Sequence, residues 1–428
     1  MLIFELILSL IIWSMTFLPI NEYVFGADSD LPIKIAERES SLTIDNVNKL
    51  SAEIGFTQND LCEDVLFDNK LNTEELNINN PFVILYDNLP VRATSTETVA
   101  LTTDGQNLFI ALNSASTTDY DLISYDLNNL NFIDYNAFQN STSSINVPFV
   151  FLNSGPGLNG LVSSGKNIFG INSSINSAIQ KFKLSNTESG GFKVLNKVGD
   201  YKLPQSSSMN PVYASKISIA YPNILLGLKK NLSEEFMAID LEKMDKDFSL
   251  AINNKTELDS SVNFILPFFE KYFHVFVSSA KEPEIQDFCL DCNATSGFDI
   301  FGSLGNVRSV IYKNNYLFVG RSTGNEELFK IKRQLDDYEV IESVDIEGGV
   351  ISMIVLGNLL IVATGGDNSK IQIRKTDEIN TLLMNIESHI AIRDLECVGG
   401  GLYGVGNMIE KAHDIVKKIR PIIFKIQI

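Results

Sequence analysis

Seven short apolar runs recur along this chain, most of them entered from a turn. This repeat constrains the fold more than any other feature. The residues that precede the runs are Asn107 (before LFIAL), Asn167 (IFGI), Asn223 (ILLGL), Lys271 (YFHVFV), Asn315 (YLFVG), Asn358 (LLIVA) and Gly401 (LYGVG). Successive markers lie 60, 56, 48, 44, 43 and 43 residues apart, so the last three intervals are nearly constant. Six markers sit in contexts such as TDGQN, SSGKN and YKNN, whose Gly and Asn residues reverse a chain. FFEK, which ends at Lys271, is the exception. The runs are short and rich in Val, Ile, Leu, Phe and Tyr, which favours buried strands over helices. A second run follows in each unit, among them DLISYDL, AIQKFKL, ELFKIKR, SKIQIRK and RPIIFKIQI. Several of these alternate apolar with polar residues, as half-buried strands do. In the fourth unit PEIQDFCLDC intervenes, and the match there is poorest.

A period of about 40 to 50 residues with several strands per unit resembles the β-propeller superfamily. Seven markers imply seven blades over residues 80–428. The resemblance is one of fold. No Trp-Asp dipeptide occurs, and Trp13 is the only tryptophan, so nothing identifies the WD40 family. A series of immunoglobulin-like sandwiches would need domain boundaries and a Cys…Trp…Cys pattern, and neither is present. The last repeat stops at PIIFKIQI, a third strand with no fourth after it. NPFVILYD (Asn80 to Asp87) is a strand-like run outside the repeat, and it is expected to supply that outer strand and close the ring.

The segment ahead of the repeat divides in two. Residues 1–26 are expected to be a secretory signal peptide cleaved near Gly26 or Ala27, on the strength of an apolar run from Leu2 to Ile20. That run carries Glu5 and lacks a basic residue before it, so a retained signal anchor is the competing reading. Residues 27–79 form an acidic, Asn-rich arm with two segments of helical character, TIDNVNKLSAEI and TQNDLCEDVLF. A formal net charge of -19 and a pI near 4.6 argue against nucleic acid and anionic membrane as partners. Loss of residues 1–26 removes Glu5 and Glu22 and no base.

Few residues advertise chemistry. Four cysteines in an exported chain favour disulfides. Cys289 and Cys292, in CLDC, form the expected local bridge, and Cys62 is left for Cys397, near which ring closure brings the arm. A zinc site would need further ligands, and His274, His389 and His413 stand apart. His274 lies in the apolar run of the fourth unit and reads as a packed side chain, or as a group pointing into a central channel. GPGLNG (155–160) and GGGLYG (399–404) match Gly-x-Gly-x-x-Gly, but both lead into strand-like sequence rather than a helix, so turns explain them better than a dinucleotide site. Asn140, Asn172, Asn231, Asn254 and Asn293 are glycosylation candidates in Asn-x-Ser/Thr triplets.

These features point to a secreted or cell-surface glycoprotein that works as a protein–protein interaction module. It is expected to be a monomer without catalytic residues, metal or cofactor. Its partner would be another protein with a basic surface, docked on NSGPGLNGLVSSG and NTESGGFKVLNKVGDYKLPQSSSMN, where the long spacings fall. The alternative is a secreted hydrolase of the lactonase or esterase kind, or a small-ligand binder, using the central channel with calcium. The apolar character of LFIAL, ILLGL, YLFVG and LLIVA, taken as the channel strands, argues against it.

Overall fold

The computed structural model describes residues 83–427 except 90–95, 114–119, 128–131, 133, 135–148, 153–156, 173–177, 187–192, 204–213, 221, 230–234, 257–260, 270–272, 280–284, 290–294, 299–306, 335–336, 368, 399–400 and 413–414. The expected signal peptide and acidic arm lie outside the described residues. β1 is Val83–Asn88. The first sheet is β2 (Glu97–Thr103), β3 (Asn107–Asn113), β4 (Leu122–Asp126) and β5 (Phe149–Leu152), and the second is β6 (Leu158–Ser164), β7 (Asn167–Asn172), β8 (Ala178–Asn186) and β9 (Lys193–Lys202). The third is β10 (Ala214–Ala220), β11 (Asn223–Leu228), β12 (Phe236–Asp240) and β13 (Ile252–Thr256); the short helices α1 (Leu241–Met244) and α2 (Phe248–Ala251) precede β13. The fourth is β14 (Val262–Phe269), β15 (Phe273–Ser279), β16 (Ile285–Cys289) and β17 (Thr295–Phe298). The fifth is β18 (Val307–Lys313), β19 (Tyr316–Arg321), β20 (Leu328–Gln334) and β21 (Asp337–Val344). The sixth is β22 (Val350–Leu356), β23 (Leu359–Thr364), β24 (Lys370–Lys375) and β25 (Leu382–Glu387). The seventh joins β26 (Ala391–Val398), β27 (Gly401–Ala412) and β28 (Ile415–Gln427) to β1. Among the described residues the strands thus make seven four-stranded antiparallel sheets.

Six of the seven marker residues fall at the hairpin between the first and second strands of a sheet, and Lys271 lies outside the described residues. Asn314 and Asn315 both have positive φ, 51 and 64, the backbone of a tight hairpin turn that Asn tolerates better than other side-chain-bearing residues. The second strands are the advertised apolar runs. They sit inside a sheet with neighbouring sheets on both faces, so β23 is buried at every position.

Neighbouring sheets interlock through glycines on these second strands. A Cβ on Gly320 would lie 2.3 Å from Cγ1 of Val350, and one on Gly227 would lie 2.4 Å from Cγ1 of Val262. Each valine is the first residue, or nearly so, of the next sheet's first strand, and both are fully buried. Close approach, not turn geometry, therefore fixes glycine at these places.

The closing strand is where the sequence placed it. β1 pairs with β28 from Val83↔Gln427 to Asn88↔Ile422 and forms the outer strand of the seventh sheet. Ile84 and Tyr86 enter the core beside Ile392, Leu402 and Phe424. The Tyr86 hydroxyl donates to the carbonyl of Ser388 at 2.6 Å, both groups being buried. Tyr86→Phe is expected to cost about 1–2 kcal/mol, because Ser388 loses a donor out of reach of water. Urea unfolding of the two proteins at one pH measures it, and equal midpoints would remove this bond from the account of closure.

Candidate functional site

The first strands β2, β6, β10, β14, β18, β22 and β26 each pack against the first strands of both neighbouring sheets. They close a ring around a central bore. Each pairs with its second strand through a register shift near its start: Thr98/Ala100, Leu158/Gly160, Ala214/Lys216, Val262/Phe264, Val307/Ser309, Val350/Ser352 and Ile392/Asp394. Such bulges re-aim side chains.

Three of these residues bind the next sheet by the same contact. Ser309 Oγ accepts from the Met353 N–H at 3.1 Å, Ser352 Oγ from the Leu395 N–H at 3.3 Å, and Asp394 Oδ2 from the Leu101 N–H at 3.1 Å. The series runs from the fifth sheet through the sixth and seventh to the first, across the joint that closes the ring. Asn407, with no exposed surface, reinforces that joint by accepting from the Thr98 N–H at 3.0 Å. Arg393 and Glu97 add an ion pair of 3.2 Å, well exposed on both sides and hence worth little.

The bore also collects charge. Lys216 comes from β10, Arg308 from β18, and Asp394 and Glu396 from β26. Burial lowers the affinity of Lys216 for its proton, the Arg308 charge lowers it further, and Asp394 opposes both. Burial pushes Asp394 up to about 6 against the hydrogen bonds from Leu101, Leu395 and Ser352 and against the charge of Lys216. Burial, helped by the charge of Asp394, pushes Glu396 up to about 8. At neutral pH Glu396 therefore keeps its proton while Asp394 is mostly ionised. Lys216, Asp394 and Glu396 all keep some solvent-accessible surface, so water reaches the bore.

This corrects the reading of the channel. LFIAL, ILLGL, YLFVG and LLIVA are second strands, held inside the sheets, and the bore is lined from ASKISIA, VRSVIYK and AIRDLECV instead. The apolarity of the former runs says nothing about channel polarity. His274 likewise lies on a second strand, β15, opposite Phe268 and Cys289. His389 is exposed at positive φ just before β26, and His413 is outside the described residues.

The expected docking loops each contain strand residues. Leu158–Ser164 of the first is β6, and Lys193–Lys202 of the second is β9. Neither Gly-x-Gly-x-x-Gly match opens a helix: Leu158 to Gly160 belong to β6, and Gly401 to Gly404 to β27. Gly404 is needed because a Cβ there would lie 2.2 Å from Cζ of Phe424. Cys397, on β26, is 1% exposed and disulfide-bonded. Cys62 and Cys292 lie outside the described residues, and of Cys289 only the backbone, ending β16, is described. Asn172 ends β7 at 7% exposure, inside its sheet rather than on an exposed loop. Asn254 lies on β13, while Asn140, Asn231 and Asn293 lie outside the described residues.

Among the described residues no three His, Cys, Asp or Glu side chains group as a metal site. Three donors already occupy the Asp394 oxygens: the Leu101 and Leu395 N–H groups and the Ser352 hydroxyl. No described helix is long and apolar enough to cross a membrane.

No protein-family model matches the chain, and no curated protein matches it. Among solved structures it is similar to the WD40 β-propeller domain of Doa1, at 12% identity and a TM-score of 0.50, over 79% of this chain and 96% of that one. It is similar also to Sqt1 from Chaetomium thermophilum, at 11% identity and a TM-score of 0.46, over 75% and 82% of the two chains. Sqt1 bound to the N-terminus of the ribosomal protein L10 gives 11% identity and a TM-score of 0.48, over 75% and 85%. At such identities the likeness is one of fold, and the fold of this chain is the all-β propeller.

Proposed function

We propose that this chain is a seven-bladed propeller, each four-stranded sheet one blade, acting as a protein–protein interaction module rather than an enzyme. The observation that carries this reading is a ribbon at the seventh sheet. β27 and β28 stay paired from Met408↔Arg420 to Ala412↔Ile415, after β26 has ended its pairing at Asn407 and β1 at Ile422. Residues 408–412 and 415–420 therefore leave the sheet as a two-stranded ribbon, and among the described residues neither of its edges has a strand partner. Open edges of this kind bind extended segments of other proteins by adding a strand. In sequence, the stretch from Met408 to Arg420 holds four basic residues and two acidic ones, in a chain of net charge -19. An extended partner segment with acidic residues suits the ribbon, while a basic partner surface suits the acidic remainder.

The setting is proposed to be the secretory route or the cell exterior. The apolar leader and the sequons support it. The monomeric state and the Cys62–Cys397 bridge belong to the same proposal; the buried, disulfide-bonded state of Cys397 supports the latter. The test compares the chain from Ala27 onward with a variant in which residues 410–417 are replaced by a two-residue turn. Binding of a partner recovered by affinity capture is expected to weaken at least about tenfold in the shortened protein, with its melting temperature unchanged. Equal affinity for both forms would move the interface off the ribbon, and absence of any protein partner would oppose the module itself.

A further inference from the structure

We propose that an extended acidic segment of another protein adds a strand to the ribbon along β27 alone, lying in line with β26. This inference rests on the ribbon being the interface and assigns the contact to one of its two edges.

The base of the ribbon sets the direction of its backbone groups. The Leu89 N–H donates to the Pro421 carbonyl at 3.1 Å, so that carbonyl faces the β1 side of β28. Pro421 stands opposite Asn407 of β27, and Asn407 stands opposite Ala391 of β26. The N–H and C=O of Asn407 therefore point away from β28, toward β26. These directions alternate along a strand, so the backbone groups of Ile409 and Lys411 point to the same side as those of Asn407. Among the described residues no strand lies there, because β26 starts at Ala391. The chain ahead of β26 is tied to the sixth sheet instead: the Ile390 carbonyl accepts from the Ser369 N–H at 2.9 Å, and the Ser388 N–H donates to the Ser369 carbonyl at 3.0 Å.

The two edges are not equivalent. Glu410 pairs with Lys418 and Lys411 with Val416, so β28 holds one extra residue, Lys417, that β27 does not match. A bulge, lysines and a proline are the features that keep an edge strand from pairing with another chain. β28 has all of them, in the bulge at Lys417, in Lys418, which is exposed, and in Pro421 at the base. β27 runs from Met408 to Ala412 without an extra residue. Its edge is regular where the edge of β28 is guarded.

Charge decides the occupant. The sequence from Met408 to Arg420 has four basic residues and two acidic ones. A second copy of the chain would bring the same positive excess to the same edge, and like charges across neighbouring strands are destabilising. An acidic segment meets the opposite sign. In strand addition the main chain supplies the affinity and alternate side chains supply the selection, so acidic residues at every second position suit this edge.

The probe is an end-blocked peptide of about eight residues alternating valine with glutamate, long enough to cover the open edge, and the valine–lysine peptide is its comparison. The full chain from Ala27 onward is expected to bind the glutamate peptide saturably and to prefer it to the lysine peptide. Ile409→Pro takes an outward N–H from β27 and is expected to weaken binding about tenfold or more, whereas Ile419→Pro, its counterpart on β28, changes it less than about twofold. In the wild type, bound peptide is expected to slow amide hydrogen exchange at Ile409 and Lys411 and to leave Ile419 unchanged, a readout that holds even if Ile409→Pro fails to fold. Protection or loss of binding at Ile419 in place of Ile409 would overturn the choice of edge and leave the ribbon as the interface. Equal peptide binding by the protein shortened at residues 410–417 would remove the ribbon itself. Binding of neither peptide, preference for the lysine peptide, or a dimer of the chain that Ile409→Pro dissociates would overturn the acidic partner.

Discussion

A chain that begins at Leu89 is expected to lose the native seventh sheet and to aggregate. Removal of residues 1–88 takes away β1 and the six pairings it makes with β28. It also takes Ile84 and Tyr86 out of a core in which they are 6% and 1% exposed. Burial of each such side chain contributes about 1.5–3 kcal/mol. The Tyr86–Ser388 hydrogen bond adds about 1 kcal/mol. The loss is therefore on the order of 5 kcal/mol, a large share of the 5–15 kcal/mol typical of a folded domain. It also falls at one joint. β28 would become an edge reading PIIFKIQI, a long apolar strand of the kind that pairs with other chains. Size-exclusion chromatography and circular dichroism of the truncated chain decide the matter. A soluble monomer that melts within a few degrees of the full chain would show that β1 is dispensable. Recovery of monomer on addition of a peptide spanning residues 79–90 would show that the lost strand, rather than the missing arm, is the cause.

That closure is legible in the sequence because it rests on a count. The last repeat lacks a fourth strand, and one spare strand-like run stands ahead of the first repeat. The hairpin markers are legible for a local reason, since Asn314 and Asn315 at positive φ announce a turn wherever the strands go. The bore is not legible. The most apolar runs are the strands with neighbours on all sides, and these are second strands, not first. The true first strands look less like strands, because a bulge interrupts the alternation of each and leaves Arg308 or Arg393 at an exposed position. β6 resembles a loop for the same kind of reason. Its Gly160 and Ser163 look like turn residues, but a Cβ on Gly160 would press on Ile217 at 3.1 Å, and Ser163 hydrogen-bonds Thr103 of the neighbouring sheet. That the third and seventh sheets share one bore cannot be read from spacing, since only the closed ring of first strands encloses it. The ribbon is hidden in the same way. GGGLYG draws attention to its glycines, and nothing in the run marks where β26 and β1 stop.

The wild-type chain is expected to become less stable as pH rises from about 4.5 to about 8, and Glu396→Gln to remove most of that slope. The ordinary value for this carboxyl group is 4.5, and the folded protein raises it to about 8. Between those values the native state holds a proton that the unfolded state has released. Stability then falls with rising pH, because the unfolded chain binds fewer protons. The contribution is fully present below about pH 4.5 and is lost as pH passes through the folded value. A tenfold change in proton affinity between the two states corresponds to about 1.4 kcal/mol. With water reaching the bore, the difference between wild type and variant over the whole window should be roughly 2–4 kcal/mol. Asp394, raised from 3.8 to about 6, acts in the same direction at a lower pH, and Glu396→Gln leaves that part in place. Lys216 works the other way, since burial and Arg308 favour its neutral form. Urea unfolding at pH 5 and pH 9 reads the effect. Parallel losses for wild type and Glu396→Gln would mean that Glu396 ionises normally and that the bore is wet enough to behave as bulk solvent. A wild-type loss in clear excess of the variant's would establish Glu396 as a carboxylic acid that stays neutral at pH 7.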